Sequence, residues 1–146
     1  MTFMLDTNVC IALIRQRPRS VLARLKASGP GPVAISAITL AELEFGAAHS
    51  SRPDVSRTAL EHFVIPFQVL PFGASASRVY GQIRAHLQKC GTPIGPLDTL
   101  IAAHALSLDL TLVTNNHREF VRVPGLRIED WLADDREGTC AANRFR

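Results

Sequence analysis

The chain has 146 residues, of which 47% are hydrophobic and 20% charged. This is the size and composition of one folded domain, and it excludes an intrinsically disordered protein. The net charge of +3 permits an anionic partner without identifying one. Cys10, Cys90 and Cys140 lack the spacing of a zinc site or a disulfide framework. No apolar run approaches the ~20 residues that cross a bilayer, so we expect a cytoplasmic protein that does not associate with membranes.

Apolar, β-branched segments alternate with segments of helical periodicity along the chain. Strands are predicted at residues 2–5, 33–36, 67–70, 110–114 and 126–129. Helices are predicted at residues 9–15, 18–27, 37–48, 55–63, 74–90 and 96–108, with a short helical turn at 115–120. This alternation predicts a three-layer α/β/α domain with a mainly parallel sheet of four or five strands. We place the domain at residues 1–132 and a polar C-terminal tail at 133–146.

Three acidic residues are predicted to lie where a strand gives way to a helix. Asp6 ends the first strand, Glu42 is expected in the first turn after the second strand, and Asp98 lies near the start of a later helix. In an open parallel sheet, side chains at the carboxyl ends of different strands meet in one place. The three carboxylates are therefore expected to converge.

Each acid also has an explanation that needs no function. Asp6 is a common type of helix N-cap, although Thr7 or Asn8 is an equally good cap here. Thr39 and Glu42 have the spacing of a capping box, and the helix dipole favours an acid such as Asp98 near a helix N-terminus. Taken together, however, the acids favour a metal site. Clustered carboxylates repel unless a cation compensates them, and oxygen ligands without His or Cys suit Mg²⁺ or Mn²⁺.

A fourth contributor is expected after the fourth strand. Glu119 is the only carboxylate in the segment at residues 113–120, and its alternative role is an exposed acid paired with a neighbouring arginine. Asn116 is expected to hold a metal or a water, or else to form a turn. Thr7, Asn8 and Thr114 are candidate polar contacts to water or phosphate.

These segments resemble the PIN-domain endoribonucleases, and specifically the VapC toxins of bacterial VapBC toxin–antitoxin modules. The resemblance extends from about residue 3 to residue 131. It is carried by Leu5-Asp6-Thr7-Asn8, Ala41-Glu42-Leu43-Glu44-Phe45-Gly46, Gly95-Pro96-Leu97-Asp98 and Val113-Thr114-Asn115-Asn116. It implies a PIN-like fold in which Asp6, Glu42 and Asp98 match the first three family acids, with Asp6 and Asp98 as the most direct metal ligands.

The resemblance leaves one position of the site open. Many relatives have an aspartate where this chain has Asn116, so either Asn116 or Glu119 supplies the fourth position. We predict one Mg²⁺ site, with Mn²⁺ as a substitute, and leave a second metal site open.

Glu42 rather than Glu44 is expected to face the cluster, since residues two apart point to different sides of a helix. Gly46, which completes the family pattern with Glu42, is expected to allow close packing.

The activity that the resemblance implies is metal-assisted hydrolysis of RNA phosphodiester bonds. Glu42 or Glu119 would position or deprotonate the attacking water, leaving 5′-phosphate and 3′-hydroxyl ends. Among VapC toxins, the chain looks most similar to those that cut the initiator tRNA in its anticodon loop. The family further implies a homodimer and a cognate VapB-type antitoxin, through which operator DNA would be contacted. The segments at residues 9–25 and 37–63 are candidate antitoxin grooves.

Basic residues around an acidic centre are expected to attract RNA. The main candidates are Arg15, Arg17, Arg19 and Arg118, with Arg24, Lys26, Arg84 and Lys89 as further ones. Any of these is explained as well by a solvated helix face. His104 is expected to be a hydrogen-bonded core residue rather than a general base.

Two rival functions are considered. A phosphatase would use Asp6 as a covalent nucleophile, but Asn8 stands where that chemistry needs a second acid. A noncatalytic PIN-fold scaffold that binds antitoxin and operator DNA is disfavoured by the presence of all three main acids. A nuclease predicts metal-dependent RNA cutting, whereas a scaffold predicts binding alone.

Overall fold

The computed structural model describes residues 2–27 and 33–132. Five strands in these ranges form one parallel sheet in the order β3-β2-β1-β4-β5. The strands are β1 (Phe3–Leu5), β2 (Ala34–Ser36), β3 (Gln68–Leu70), β4 (Thr111–Val113) and β5 (Ile128–Glu129). The predicted parallel sheet is confirmed with five strands. The predicted tail, residues 133–146, lies outside the described residues, and the domain boundary after residue 132 stays a prediction.

The helices connect these strands and cover both faces of the sheet. They are α1 (Thr7–Arg15), α2 (Arg19–Ala27), α3 (Ala37–His49), α4 (Pro53–Val64), α5 (Ala74–Lys89), α6 (Pro96–Ser107) and α7 (His117–Phe120). All fall where the sequence predicts them, with ends that differ by one or two residues at most positions. No helix in the described ranges has both the length and the apolar composition that a bilayer crossing requires.

Alternate residues of the central strands enter two separate hydrophobic clusters. Met4 and Leu112 pack with α5 and α6 on one face of the sheet, while Leu5, Ile35 and Val113 pack with α1, α3 and α4 on the other. Successive side chains of a strand point to opposite faces, so each short strand supplies both cores. The three-layer α/β/α architecture follows from this alternation.

The structure corrects two helix starts. Asp6, not Thr7 or Asn8, is the N-cap of α1, and its side chain accepts a hydrogen bond from the Thr7 N–H. Ser36 caps α3 by accepting from the Ile38 N–H. The proposed Thr39–Glu42 capping box is therefore wrong, because α3 begins at Ala37. Both strands run directly into their helices, so the last strand residue or the one after it must act as the cap.

Candidate active site

Asp6 directly follows β1, the central strand, at the carboxyl end where β1 and β4 lie side by side. The strand order reverses at this point, which is where parallel α/β sheets form their binding clefts. The Asp6 N–H donates to the Val113 carbonyl oxygen at 2.8 Å, which extends the β1–β4 pairing to the cleft. Asp6 is only 2% exposed, so its carboxylate is almost entirely covered by protein at the carboxyl end of the central strand.

Both carboxylate oxygens of Asp6 accept a hydrogen bond from the protein. Oδ1 accepts from the Thr7 N–H at 2.7 Å, and Oδ2 accepts from the Thr114 hydroxyl at 2.8 Å. These two bonds fix the orientation of the carboxylate across two strand ends. Burial raises the pKa of Asp6 and the nearby Glu42 charge adds to this effect, whereas the hydrogen bonds from Thr114 and Thr7 oppose it.

Thr7 connects the first strand end to α3. Its hydroxyl lies 2.9 Å from Glu42 Oε1 and 3.2 Å from Thr39 Oγ1. Glu42 belongs to the second turn of α3 rather than the first, because the helix begins at Ala37. The position one turn earlier holds Thr39, which is fully buried. The capping box predicted for Thr39 gave it a structural role only, so its contact with Thr7 was not predicted.

Glu42 and Glu44 point to different sides of α3. Glu42 bonds to Thr7 in the cleft, while Glu44 pairs with Arg57 at 3.1 Å on an exposed surface. The predicted choice between the two agrees with these contacts. The explanation given for Gly46 is wrong, however, since a Cβ atom at this position would meet nothing within 4 Å.

The segment after β4 supplies the fourth side of the cleft. Thr114 is fully buried and its hydroxyl also accepts the Asn116 N–H at 2.9 Å. The Asn116 side chain donates from Nδ2 to Glu119 Oε2 at 3.2 Å. The Asn116 amide is thus bonded to the Glu119 carboxylate, which in turn is hydrogen-bonded to Asp98. A choice of one or the other for the fourth position overlooked this pairing.

Asp98 lies in the first turn of α6, which packs against the sheet through the fully buried Ile101 and Ala102. Burial raises the pKa of Asp98 to about 7, and the charges of Asp6, Glu119 and Glu42 contribute, together with a hydrogen bond to Glu119. Every one of these causes disfavours the charged carboxylate. The helix dipole alone does not account for an acid held at this place.

The fold thus brings four carboxylates from separate segments into electrostatic contact. They are those of Asp6, Glu42, Asp98 and Glu119. As these side chains stand, no group of three or more His, Cys, Asp or Glu within residues 2–27 and 33–132 is arranged to hold a metal ion. The donor chemistry nevertheless fits a hard divalent cation, because one buried and three partly buried carboxylates repel one another without a compensating charge.

The remaining predicted residues lie around this cleft or away from it. Asn8 is exposed in the first turn of α1. Arg15, Arg17 and Arg19 are exposed where α1 leads into α2, and Arg118 is exposed on α7. These four arginines are accessible to a large anionic partner, and Arg15 lines a cavity of about 130 Å³ together with Glu42.

His104 is a core residue, as predicted. It is 1% exposed, with Nδ1 lying 2.7 Å from the Ser36 hydroxyl oxygen and its ring in edge contact with Phe72. Burial lowers the pKa of His104, while a hydrogen bond to the Pro71 carbonyl opposes the shift. The neutral ring therefore joins α6 to the end of β2, and it does not point at the carboxylates.

Comparison with known proteins places the chain in a family. The PIN domain profile matches residues 3–126. The tRNA(fMet)-specific endonuclease VapC of Shigella flexneri is 49% identical over 129 residues, which cover 88% of this chain and 97% of that protein. PIN-domain nucleases generally depend on a divalent metal.

Solved structures agree with this assignment. The VapBC2 complex of Rickettsia felis, bound to a DNA fragment from its promoter, matches with a TM-score of 0.86 and 38% identity over 90% of this chain and 99% of that one. The DNA-bound VapBC of Salmonella typhimurium matches with a TM-score of 0.86 and 46% identity over 90% and 98%. The chain therefore belongs to the PIN-domain family, and within it to the VapC endoribonuclease toxins of VapBC toxin–antitoxin systems.

Proposed function

We propose that this VapC toxin uses Mg²⁺, held by Asp6 and Asp98, to hydrolyse a phosphodiester bond in an RNA loop. The observation that carries the proposal is the position of Asp98, whose carboxylate is disfavoured by burial and by three neighbouring acids. A divalent cation supplies the positive charge that this arrangement lacks, and it stabilises negative charge on a phosphate. Mn²⁺ satisfies the same oxygen ligands and is expected to substitute.

The protein residues have distinct parts in the proposed reaction. Thr7 and Thr114 hold the two oxygens of Asp6 in place, so the carboxylate does not rotate when charge develops nearby. Glu42 or Glu119 orients the attacking water and accepts its proton. The water oxygen forms a bond to phosphorus while the bond to the 3′-oxygen breaks, which leaves 5′-phosphate and 3′-hydroxyl ends.

The proposed substrate is the initiator tRNA, cut in its anticodon loop. This follows from the name and 49% identity of the Shigella flexneri relative, a tRNA(fMet)-specific endonuclease. Single-stranded loops expose bases and phosphates that a nuclease can reach, whereas A-form stems do not. Because the substrate is a cytoplasmic RNA, the cytoplasm is the proposed site of action.

The proposed partners are a second copy of the toxin and a VapB-type antitoxin. Support for the antitoxin comes from the VapBC complexes that this fold resembles. A groove of about 360 Å³ between α1, α2 and α4 offers an apolar surface, with Leu13, Leu22, Leu25 and Phe63 on its walls. We propose that an apolar antitoxin segment occupies it and that operator DNA is contacted only by the antitoxin.

The decisive experiment is cleavage of purified initiator tRNA by the purified toxin, with the elongator methionine tRNA as a control. We expect cutting with Mg²⁺, none with a chelator, and none by an Asp98→Asn variant whose circular dichroism spectrum is unchanged. Sequencing of the product ends locates the cut. Cutting that persists in the chelator or in Asp98→Asn would contradict the proposed site, and equal cutting of both tRNAs would contradict the proposed substrate.

A further inference from the structure

A second cavity lies beside the first turn of α6, the turn that also carries Asp98. Its volume is about 280 Å³, close to the ~300 Å³ at which small-ligand pockets begin, and it lies between α5 and the loop that leads into α6. Tyr80, Arg84 and Gln88 form its wall on α5, and Ile94 and Thr99 face them. The proposed function makes no use of any of these side chains.

The charge of this cavity is opposite to that of the active site. Arg84 lines it, and none of the described residues that line it carries a carboxylate. The Arg84 guanidinium donates to the Tyr80 hydroxyl at 3.0 Å, so its position over the cavity is held by a neighbour one turn away. A second cation is close, since the Arg122 guanidinium donates to the Pro93 carbonyl oxygen at 3.1 Å and Pro93 is part of the wall. The cavity therefore favours an anionic group.

Its location connects it to the reaction centre. Pro96 and Thr99 line the cavity, and Asp98 belongs to the same first turn of α6. Consecutive helix residues are about 100° apart, so Asp98 and Thr99 face different sides of a cylinder ~10–12 Å across. Thr99 is anchored by its hydroxyl, which donates to the Gly95 carbonyl oxygen at 2.8 Å. An RNA strand at Asp98 has its neighbouring nucleotides within reach of the cavity.

We propose that this cavity, lined by Tyr80 and Arg84, binds one unpaired nucleotide adjacent to the scissile phosphate. The base stacks against the Tyr80 ring, and Arg84 contacts the phosphate. Aromatic rings stack on unpaired bases, and arginine contacts phosphates through a planar fork of donors. The inference rests on the proposed nuclease function and adds a substrate subsite to it.

The first test removes the positive charge of Arg84 at the cavity. Its effect on RNA binding is compared with that of removing a positive charge elsewhere on α5. The probe is an RNA hairpin whose loop the wild-type protein cuts at one mapped position, and binding is measured in an Asp98→Asn background to prevent cutting. Arg84→Gln is expected to weaken binding roughly fivefold to tenfold and to lower the slope of log affinity against log salt by about 0.7. Arg78→Gln, on the same exposed helix, is the matched control and is expected to keep both the affinity and the slope.

The second test locates the base. Removing one base at a time from the probe is expected to reveal a single position beside the cut at which binding falls about tenfold. At that position alone, the loss of affinity caused by the missing base and the loss caused by Tyr80→Ala should not be additive, because each change removes the same stacking contact. Tyr80→Phe keeps the ring and is expected to retain the dependence on that base.

The outcomes separate this inference from the proposed function. A wild-type protein that neither binds nor cuts RNA would overturn both. Normal cutting by wild type, with Arg84→Gln and Arg78→Gln alike in affinity and salt slope, would overturn the nucleotide cavity alone. A change in solution mass for Arg84→Gln or Tyr80→Ala would also overturn it, because the cavity would then be a contact between copies of the chain.

Discussion

The ends of β1 and β2 have nearly the same backbone but opposite chemistry. Asp6 and Ser36 are both extended N-caps, with φ and ψ of −70° and 156° in one case and −74° and 147° in the other. Asp6 caps with one oxygen and keeps a second that bonds to Thr114. Ser36 has one oxygen, which accepts from the Ile38 N–H and contacts His104.

The difference shows that a strand-to-helix junction is a position for function, not a function in itself. At β2 the polar groups satisfy one another, and the neutral His104 adds no charge. At β1 the cap is an acid surrounded by further acids, and burial raises the pKa of both Asp6 and Asp98. The end of β2 thus stabilises the fold, whereas the end of β1 is part of a cluster of uncompensated negative charge.

The largest expected effect comes from neutralising the acidic cap. Asp6→Asn is expected to reduce RNA cleavage at least about 100-fold, since a charge at the reaction centre is lost. Folding should be preserved, because asparagine is also a good N-cap. Ser36→Ala is the matched change at the other junction, and its cleavage rate per folded molecule should stay within a few-fold of wild type. Equal losses in the two variants would mean that Asp6 has only a structural role.

Metal binding should stabilise the folded protein through the acidic junction and not through the neutral one. At a Mg²⁺ concentration about 100 times the dissociation constant, binding to the native state adds about 2.7 kcal/mol to the free energy of unfolding. The melting temperature of wild type should therefore rise by several degrees. Asp98→Asn should lose this rise, whereas Ser36→Ala should keep it. A rise of the same size in Asp98→Asn would place the ion elsewhere.

Removing the neutral cap should cost stability. Ser36→Ala deletes the acceptor of the Ile38 N–H and the partner of His104 Nδ1 in a buried environment. The expected loss is about 2 kcal/mol in the free energy of unfolding, measured by urea denaturation. Ser77→Ala is a suitable control, since that exposed hydroxyl donates to a carbonyl oxygen one turn earlier on α5, and its loss should be under about 0.5 kcal/mol.

The two glutamates of α3 allow an acid in the cleft to be compared with an exposed acid on the same helix. Glu42→Gln is expected to lower cleavage at least about tenfold, because the side chain next to Thr7 loses its charge and its ability to accept a proton. Glu44→Gln should cleave at the wild-type rate. In the ion pair between Arg57 and Glu44, 62% of the Arg57 side chain and 40% of the Glu44 side chain are exposed. Loss of this pair should therefore change the free energy of unfolding by less than about 0.5 kcal/mol. Similar cleavage by both variants would remove Glu42 from the reaction.

The smallest expected effect is a change in the pH dependence of stability. The pKa of His104 is lowered in the folded protein, so the unfolded chain takes up a proton at a higher pH than the native state does. The contribution of the neutral His104 to the free energy of unfolding is therefore complete above the unfolded pKa of about 6.5. It is lost as the pH falls below that value. Unfolding of His104→Gln by urea at several pH values should show a shallower acid-side decline than wild type. An identical slope would mean that His104 does not titrate differently on folding.

Much of the fold could be predicted from local signals. Strands of three or four apolar residues alternate with amphipathic or apolar helices, and this order alone requires parallel strands joined by crossovers. The errors fell at helix starts, where Thr7, Asn8, Thr39 and Glu42 each satisfy a local capping pattern. Such patterns compete within a few residues, and only the exact end of the preceding strand decides which residue becomes the cap.

The convergence of the acids could be predicted from the sequence, but their hydrogen-bond partners could not. Asp6, Glu42 and Asp98 were identifiable because each follows a predicted strand end or begins a helix. The hydrogen bond between Asn116 and Glu119, the buried Thr39 beside Thr7, and the open space at Gly46 were not identifiable. These depend on distances between segments that are far apart in the chain, and sequence spacing gives no such distances.

From the sequence alone one could predict the succession of strands and helices along the chain, the acids available at their junctions and the membership of the family. Those properties follow from side-chain periodicity and residue type, which are local. The packed structure was needed to show that Glu119 joins the three predicted acids, that Arg84 and Tyr80 line a cavity beside α6, and that burial lowers the pKa of His104. Charge repulsion and burial act through space, so they are set by how the strands and helices pack.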